Sequence, residues 1–235
     1  MKNEKSVCSV LVFGRNNNED ISDTIRAVIN ASSKANVQLR NFILVDDGSR
    51  LEMIHNLPHD MREYLTAVIR HDHSLGISDA INSGIRFCKD DKVMILPGHN
   101  VFTEEAIQKA FELAPYWDLV LGFRSNLFRE RPLLKIINSL IFRVVFRWRI
   151  SPWIIDPHGL PVYRVIDVLN GVENSRGHAV HVSILKGVLK NNALNYVQFP
   201  APITEGHSKR KSRSKKDNFP STKAMYLTLL ELLVK

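Results

Sequence analysis

Short apolar runs alternate with amphipathic segments along the first half of the chain. Such runs favour strands that are buried on both faces, as in a parallel sheet. Between them, apolar residues recur at helical spacing, for example Ile21, Ile25 and Val28. The predicted strands are residues 7–13, 42–45, 64–70, 92–96 and 117–121, and the predicted helices are residues 21–33, 76–88 and 104–113. This alternation predicts a doubly wound α/β domain across residues 6–122, with a mostly parallel central sheet flanked by helices.

Beyond Gly122 the pattern becomes both apolar and basic. An amphipathic helix is predicted at residues 130–149, where arginines stand among large apolar side chains. Such a helix suits an anionic membrane surface; the alternative is a helix that packs on the sheet or in a dimer with solvated arginines. The basic run 207–216 predicts either a solvated loop or a loop that clamps a phosphate. A closing amphipathic helix is predicted at residues 222–234.

Composition limits the classes of partner. The chain has 235 residues and a formal net charge of +8, which indicates an anionic partner: a phosphorylated small molecule, an anionic membrane or nucleic acid. Nucleic acid is the weakest of these, because no recognition motif or stacking platform accompanies the charge. Cys8 and Cys88 lie in apolar segments, where burial without a disulfide is expected. These features favour a cytoplasmic protein.

The most distinctive local pattern is the apolar run 42–45, which stops abruptly at Asp46 and Asp47. The two acids lie at the carboxyl end of a predicted strand, where open α/β sheets bind their ligands. Carboxylates accept hydrogen bonds from ribose hydroxyls or a base N–H, and Gly48 lets the backbone turn beside them. The alternative is an ordinary solvated Asp-Gly turn.

Taken in order, these segments resemble glycosyltransferase family 2, which has the GT-A fold, and within it the dolichol- and polyprenyl-phosphate hexose synthases. The matching segments are Asn16, DDGS at 46–49, LGISDAINSGI at 75–85, DLVLGFR at 118–124, IIDPHGLPVYR at 154–164 and SRSK at 212–215. The resemblance implies a GT-A domain at 1–205, with a nucleotide-binding half at 6–122 and an acceptor half at 123–205. A basic loop and helix at 206–235 would follow.

The resemblance also implies an activity and a set of site residues. The activity is inverting transfer of a hexose from a nucleotide-sugar to a polyprenyl-phosphate or glycan acceptor. The implied donor-binding residues are Asn16, Asp46, Asp47, Gly48, Ser49 and Gly76, and the implied acceptor-phosphate residues are Arg213, Ser214 and Lys215. His99 and Asn100 are added as donor-binding residues from their own chemistry, as hydrogen-bond donors to a diphosphate, with a softer ion on His99 as the alternative. The candidate catalytic residues are Asp156, Arg124 and Arg164. Asp156 would orient the acceptor or act as a base. In place of a carboxylate-held metal, Arg124, Arg164 and the basic run 209–216 are the candidates to stabilise the leaving diphosphate.

The chain departs from the family where metal-binding acids are expected. After its fourth strand the family carries D-x-D, whose carboxylates hold a divalent metal; here Pro97, Gly98 and His99 occupy those places. Magnesium prefers hard oxygen ligands, which these residues do not supply, so the metal ligands are unknown. Dependence on Mg²⁺ or Mn²⁺, which is usual in the family, and transfer without a metal are the two alternatives. The rival hypothesis is a catalytically impaired relative that binds a nucleotide or a protein partner, either a second copy or a membrane protein. Peripheral attachment to the inner face of a membrane is expected.

Overall fold

The computed structural model of the protein describes residues 6–17, 20–126, 133–173, 180–190 and 194–204. The strands are β1 Ser6–Val7, β2 Ser9–Gly14, β3 Val37–Gln38, β4 Phe42–Asp46, β5 Ala67–Arg70, β6 Lys92–Pro97, β7 Leu119–Phe123, β8 Leu160–Arg164 and β9 Tyr196–Pro200. The helices are α1 Ile21–Lys34, α2 His59–Arg62, α3 Ile77–Ile85, α4 Glu104–Leu113, α5 Leu133–Arg149, α6 Val165–Glu173 and α7 Val180–Leu189, with a 3-10 turn at Met53–Asn56.

The described strands form a seven-stranded sheet in the order β5-β4-β2-β6-β8-β7-β9, and β1 pairs with β3 beside it. β5, β4, β2 and β6 are mutually parallel, and β7 is parallel to β9. Only β8 runs in the opposite direction within this sheet. The prediction of a mostly parallel α/β sheet flanked by helices is therefore confirmed.

The central strands β2, β4, β6 and β7 are buried on both faces, which explains their continuous apolar runs. Val10 and Val12 belong to the core cluster that includes α1 and α4. Leu11 and Phe13 point the other way and belong to the cluster that includes α3, α5, α6 and α7. This alternation is the normal period of a strand, and it requires apolar residues at every position when helices cover both faces.

The structure differs from the sequence prediction mainly at element ends. The strand predicted at 64–70 begins only at Ala67, because residues 63–64 form a turn directly after α2. β8 and β9, which lie in the predicted acceptor half, join the same sheet as the strands of the nucleotide-binding half. The basic run 207–216 and the closing helix 222–234 lie outside the described residues.

Two further sequence expectations concern burial and the membrane. Cys8 and Cys88 are both buried free thiols, as predicted. Within the described ranges, no helix has the length and apolar character needed to cross a membrane.

Candidate functional site

The ends of the strands gather most of the predicted site residues along one edge of the sheet. β2, β4, β6 and β7 end at this edge, whereas the antiparallel β8 begins there. Asn16, Asp47 and His99 follow three of these strands, Arg124 follows β7, and Asp156 lies shortly before β8. We call this edge the carboxyl edge, and in α/β sheets it is the usual place for a ligand.

Asp46 is buried and fixes the turn that follows β4. Its Oδ1 accepts a hydrogen bond from the backbone N–H of Ser49 at 2.9 Å, and its Oδ2 accepts one from Met53 at 3.0 Å. The backbone N–H of Asn16 donates to Ser49 Oγ at 2.9 Å, and Asn16 Oδ1 accepts from the Arg50 N–H at 3.0 Å. Asp46, Ser49 and Asn16 therefore tie the loops after β2 and β4 into one wall.

Asp47 holds the loop that leads into α3. Its Oδ1 lies 2.9 Å from His71 Nδ1 and accepts from the Leu75 N–H at 2.8 Å. Its Oδ2 accepts from Ser74 Oγ at 2.7 Å and from the Gly76 N–H at 3.1 Å. Burial raises the pKa of Asp47, but the hydrogen bonds from His71, Ser74, Leu75 and Gly76 outweigh burial and hold that pKa below its ordinary value. The carboxylate is therefore ionised and supplied with donors from the protein.

His71 is a site residue that the sequence analysis did not identify. It follows β5 directly and is buried, with its Nδ1 on Asp47 and its Nε2 3.0 Å from Ser83 Oγ. Because Asp47 is ionised, Nδ1 carries the proton that it shares with the carboxylate. The sequence does contain an indication of this role, because His71 directly follows the predicted strand 64–70, and polar residues at strand ends are candidates for a site.

The loops after β4 and β5 meet through their backbones at Gly48. The φ angle of Gly48 is +69°, and a Cβ added there would lie 2.5 Å from the His73 carbonyl carbon and 2.6 Å from the Ser74 nitrogen. Only glycine permits this approach, because a side chain would clash with backbone atoms that cannot move independently. The Asp-Gly sequence is thus required by contact between two site loops.

The end of β6 and the residues that follow it do not fit a carboxylate-held magnesium ion. Pro97 and Gly98 offer no side-chain ligand, and His99 offers a single imidazole. Asn100 has a φ angle of +46°, and its N–H donates to Thr24 Oγ1 at 2.9 Å. Across the described ranges, no three His, Cys, Asp or Glu side chains are grouped so that they could hold a metal ion.

Further along the carboxyl edge, beside β7 and β8, Asp156 pairs with two arginines. Arg124 Nε lies 2.7 Å from Asp156 Oδ2, and its Nη2 lies 2.9 Å from Oδ1. Arg143, from α5, places Nη2 2.7 Å from Oδ2. The Asp156 side chain is 0% exposed, that of Arg124 7% and that of Arg143 16%. We call these three residues the arginine cluster; two guanidinium groups and one carboxylate give it an excess positive charge.

The surroundings of Asp156 argue against its predicted role as a base. Burial raises the pKa of Asp156, but the positive charges of Arg124 and Arg143 hold that pKa far below its ordinary value. A carboxylate with so low a pKa does not take up a proton near neutral pH. Its contacts instead fix the orientation of the two guanidinium groups. Among the described residues, the buried Nε of Arg143 has no hydrogen-bond partner.

Arg164 does not join the arginine cluster. It pairs in register with Lys92, the first residue of β6, and this places Arg164 at the edge opposite the carboxyl edge. There its Nε and Nη2 contact the Asp167 carboxylate at 2.6 and 2.9 Å. The predicted acceptor-phosphate residues Arg213, Ser214 and Lys215 lie outside the described residues.

Solved structures share this fold. Glucosyl-3-phosphoglycerate synthase from Mycobacterium tuberculosis, in complex with Mn²⁺, UDP and glucosyl-3-phosphoglycerate, aligns with a TM-score of 0.70 and 13% sequence identity, covering 97% of this chain and 79% of that one. Mannosyl-3-phosphoglycerate synthase from Rubrobacter xylanophilus aligns with a TM-score of 0.69 and 14% identity, covering 97% and 72%. At these identities the similarity shows the fold alone, and it confirms the predicted GT-A architecture.

The family is shown by the sequence itself. No curated protein matches the chain. The family model described as glycosyl transferase family 2 matches residues 9–133, which is more than half of the chain and includes the walls around Asp46 and Asp47 and the first arginine of the arginine cluster. The chain therefore belongs to glycosyl transferase family 2.

Proposed function

We propose that this protein transfers a hexose from a nucleotide-sugar to a polyprenyl-phosphate or glycan acceptor, with inversion at the anomeric carbon. The observation that carries the proposal is the arginine cluster at the carboxyl edge. It is a buried site with excess positive charge, and it lies on the same edge as the loops fixed by Asp46 and Asp47. An anionic ligand that spans both parts is the partner that fits such an edge.

The nucleotide is assigned to the wall formed by the loops after β2, β4 and β5. The carboxylates of Asp46 and Asp47 are engaged by protein donors, so their main role is to hold this wall in one conformation. A preformed wall avoids the entropic cost of ordering loops when the ligand binds. In this assignment Asn16, Gly48, Ser49 and Gly76 shape the donor site through the backbone.

Charge stabilisation is assigned to the arginines. The leaving nucleoside diphosphate gains negative charge in the transition state, and guanidinium groups in a site of low dielectric constant stabilise such charge. A lipid phosphate has a second pKa of about 6 and is already ionised near neutral pH, so it needs positioning more than a general base. This agrees with an Asp156 whose pKa is lowered and whose oxygens contact Arg124 and Arg143. No step in this scheme requires a carboxylate-held metal.

The solved relatives guide the choice of probes. The Mycobacterium tuberculosis protein was crystallised with UDP and with glucosyl-3-phosphoglycerate, whose acceptor part also bears a phosphate. UDP-sugars are therefore the first donors to test, with GDP-sugars beside them. Polyprenyl phosphate and 3-phosphoglycerate are the acceptors to compare.

The test is calorimetric titration of the full chain with UDP- and GDP-sugars, with Mg²⁺ or Mn²⁺ and with EDTA, followed by product analysis with each acceptor. We expect donor binding that survives EDTA and is lost in Asp47→Ala. Arg143→Met leaves the Arg124–Asp156 pair balanced, and we expect it to remain folded and to lose transfer. Asp167→Ala, at the opposite edge, is the matched control and should behave as the wild type. Absence of donor binding under every condition would overturn the proposal.

A second candidate function is binding of a nucleotide or a partner protein without transfer. The observation that favours it is the Pro97-Gly98-His99 segment, which offers no carboxylate where the family is expected to hold a metal. Donor binding without turnover, whichever acceptor is supplied, would select this candidate. Transfer to either acceptor would exclude it.

A further inference from the structure

One face of α5 exposes a continuous stripe of large apolar side chains. Its members, with their exposed fractions, are Leu133 72%, Ile137 43%, Leu140 38%, Ile141 45%, Val144 66% and Trp148 74%. At about 100° per residue, these six positions fall within an arc of about 100° on the helix surface. We call them the α5 stripe. An apolar patch of this kind is uncommon on a monomeric protein and marks an interaction site.

The opposite face of α5 is fixed to the protein. Phe142 and Phe146 are 1% and 0% exposed and belong to the core cluster on that side of the sheet, and Ile136, at one edge of the stripe, is 4% exposed. The helix therefore lies along the protein surface, with its axis held by the core. Because these anchors point inward, the α5 stripe points to solvent and is available to a flat partner.

The charged residues of α5 are all basic. α5 contains no acidic residue, and Arg147 is exposed beside the stripe. The Arg149 guanidinium lies 5.5 Å from the centre of the Trp148 ring, on the stripe itself. Trp153, in the loop after the helix, is 74% exposed. Tryptophan and arginine next to an apolar face are typical of helices at the level of lipid headgroups.

We propose that the α5 stripe docks on an anionic lipid bilayer, with the helix axis parallel to the membrane surface. A bilayer supplies both an apolar layer for the stripe and negative charge for the arginines. A symmetric dimer would use the same patch twice and would bring two helices together without an acid on either. The inference goes beyond the proposed reaction but agrees with it, since Arg143 of the same helix reaches the arginine cluster and a polyprenyl-phosphate acceptor resides in the bilayer.

The experiment is flotation of the purified full chain with vesicles of phosphatidylcholine alone or mixed with phosphatidylglycerol. The vesicles contain no polyprenyl phosphate and no donor is added, so docking and the proposed transfer can fail independently. We expect binding to the mixed vesicles that weakens with salt, and little binding to phosphatidylcholine. Val144→Glu and Trp148→Glu should each weaken partition by roughly tenfold or more, because each withdraws a large apolar side chain from the interface.

Tyr116→Glu is the matched control. Tyr116 is 79% exposed and follows α4, away from the stripe, so this variant should float as the wild type does. Circular dichroism of each variant checks that the fold is kept. We expect it to be kept, because the substituted positions are exposed. Unchanged flotation of both stripe variants would overturn the proposal. Failure of the wild type to float with the anionic vesicles would overturn it as well. A dimer in sedimentation velocity that Val144→Glu dissociates would also overturn it, by assigning the stripe to a second copy.

Discussion

Replacing Asp156 with asparagine tests the electrostatic interpretation of the arginine cluster. The substitution keeps the side-chain volume and one oxygen acceptor but removes the negative charge between Arg124 and Arg143. The two arginine side chains are 7% and 16% exposed, so water screens their repulsion poorly. Removing one partner of a buried ion pair costs about 3–5 kcal/mol. We expect a loss of about 3 kcal/mol in the free energy of unfolding, because the retained oxygen still accepts one hydrogen bond.

Urea denaturation followed by circular dichroism measures this loss, and we expect the midpoint to fall by about 1–2 M. The control is Asp167→Asn, whose partner Arg164 is 30% exposed. An accessible pair of this kind contributes about 1 kcal/mol or less. The reasoning would be refuted if Asp156→Asn were no more destabilising than Asp167→Asn.

The pH dependence gives a second check on the same charge. Burial opposes ionisation of Asp156, but Arg124 and Arg143 reverse that effect and lower its folded-state pKa below that of the unfolded chain. A group of this kind stabilises the folded state fully above its unfolded pKa of about 4. The stabilisation is lost as the pH falls towards the folded-state pKa. The difference between the wild type and Asp156→Asn should therefore be largest near pH 7 and shrink below about pH 4.

Three further outcomes are expected. Gly48→Ala should lower the free energy of unfolding by about 1–3 kcal/mol in urea denaturation, because Gly48 has a positive φ and an added Cβ would clash with backbone atoms. The control is Gly187→Ala, which has open space around it and should be neutral or slightly stabilising. Burial raises the pKa of Cys8 and Cys88 to about 12, so thiol reagents should label them only as fast as the chain unfolds, with rapid labelling in urea as the control. Tyr163→Phe should be neutral or stabilising by up to about 1 kcal/mol in thermal denaturation, because the buried hydroxyl has no hydrogen-bond partner in the described part of the chain; a marked loss would reveal a bound water.

The first half of the fold was predictable because its strands are buried on both faces. Runs such as residues 42–45 have no polar position, and the polar residues that end them mark the carboxyl edge directly. The Asp-Gly turn after β4 was predicted for the same reason. The pattern did not indicate which groups the two carboxylates contact. That Asp46 and Asp47 bind the donor stays a prediction. The structure adds that Asp46 accepts hydrogen bonds from the loop that follows it, and that Asp47 accepts them from the loop after β5.

The second half was less predictable because its contacts join residues that are distant in sequence. β8 lies antiparallel between β6 and β7, and no local periodicity indicates that insertion. Arg124 and Asp156 stand 32 positions apart. They come together because β7 ends at the same edge of the sheet at which the antiparallel β8 begins. Arg143 was recognised only as one basic residue of an amphipathic helix. Its inward direction depends on which face of α5 packs on the core, which is a property of the folded chain.

The separation of charge along the carboxyl edge has a consequence for how a donor can lie. The ionised Asp47 is at the end of β4, and the arginine cluster is three to four strands away, about 14–19 Å at the usual strand spacing. A diphosphate beside Asp47 would be repelled by an ionised carboxylate. A diphosphate beside Arg124 and Arg143 would be attracted by their excess positive charge. We therefore expect the nucleoside at the Asp47 wall and the diphosphate directed towards the arginines. That orientation directs the sugar towards α5, the helix that carries the α5 stripe, so donor and membrane acceptor would meet at the arginine cluster.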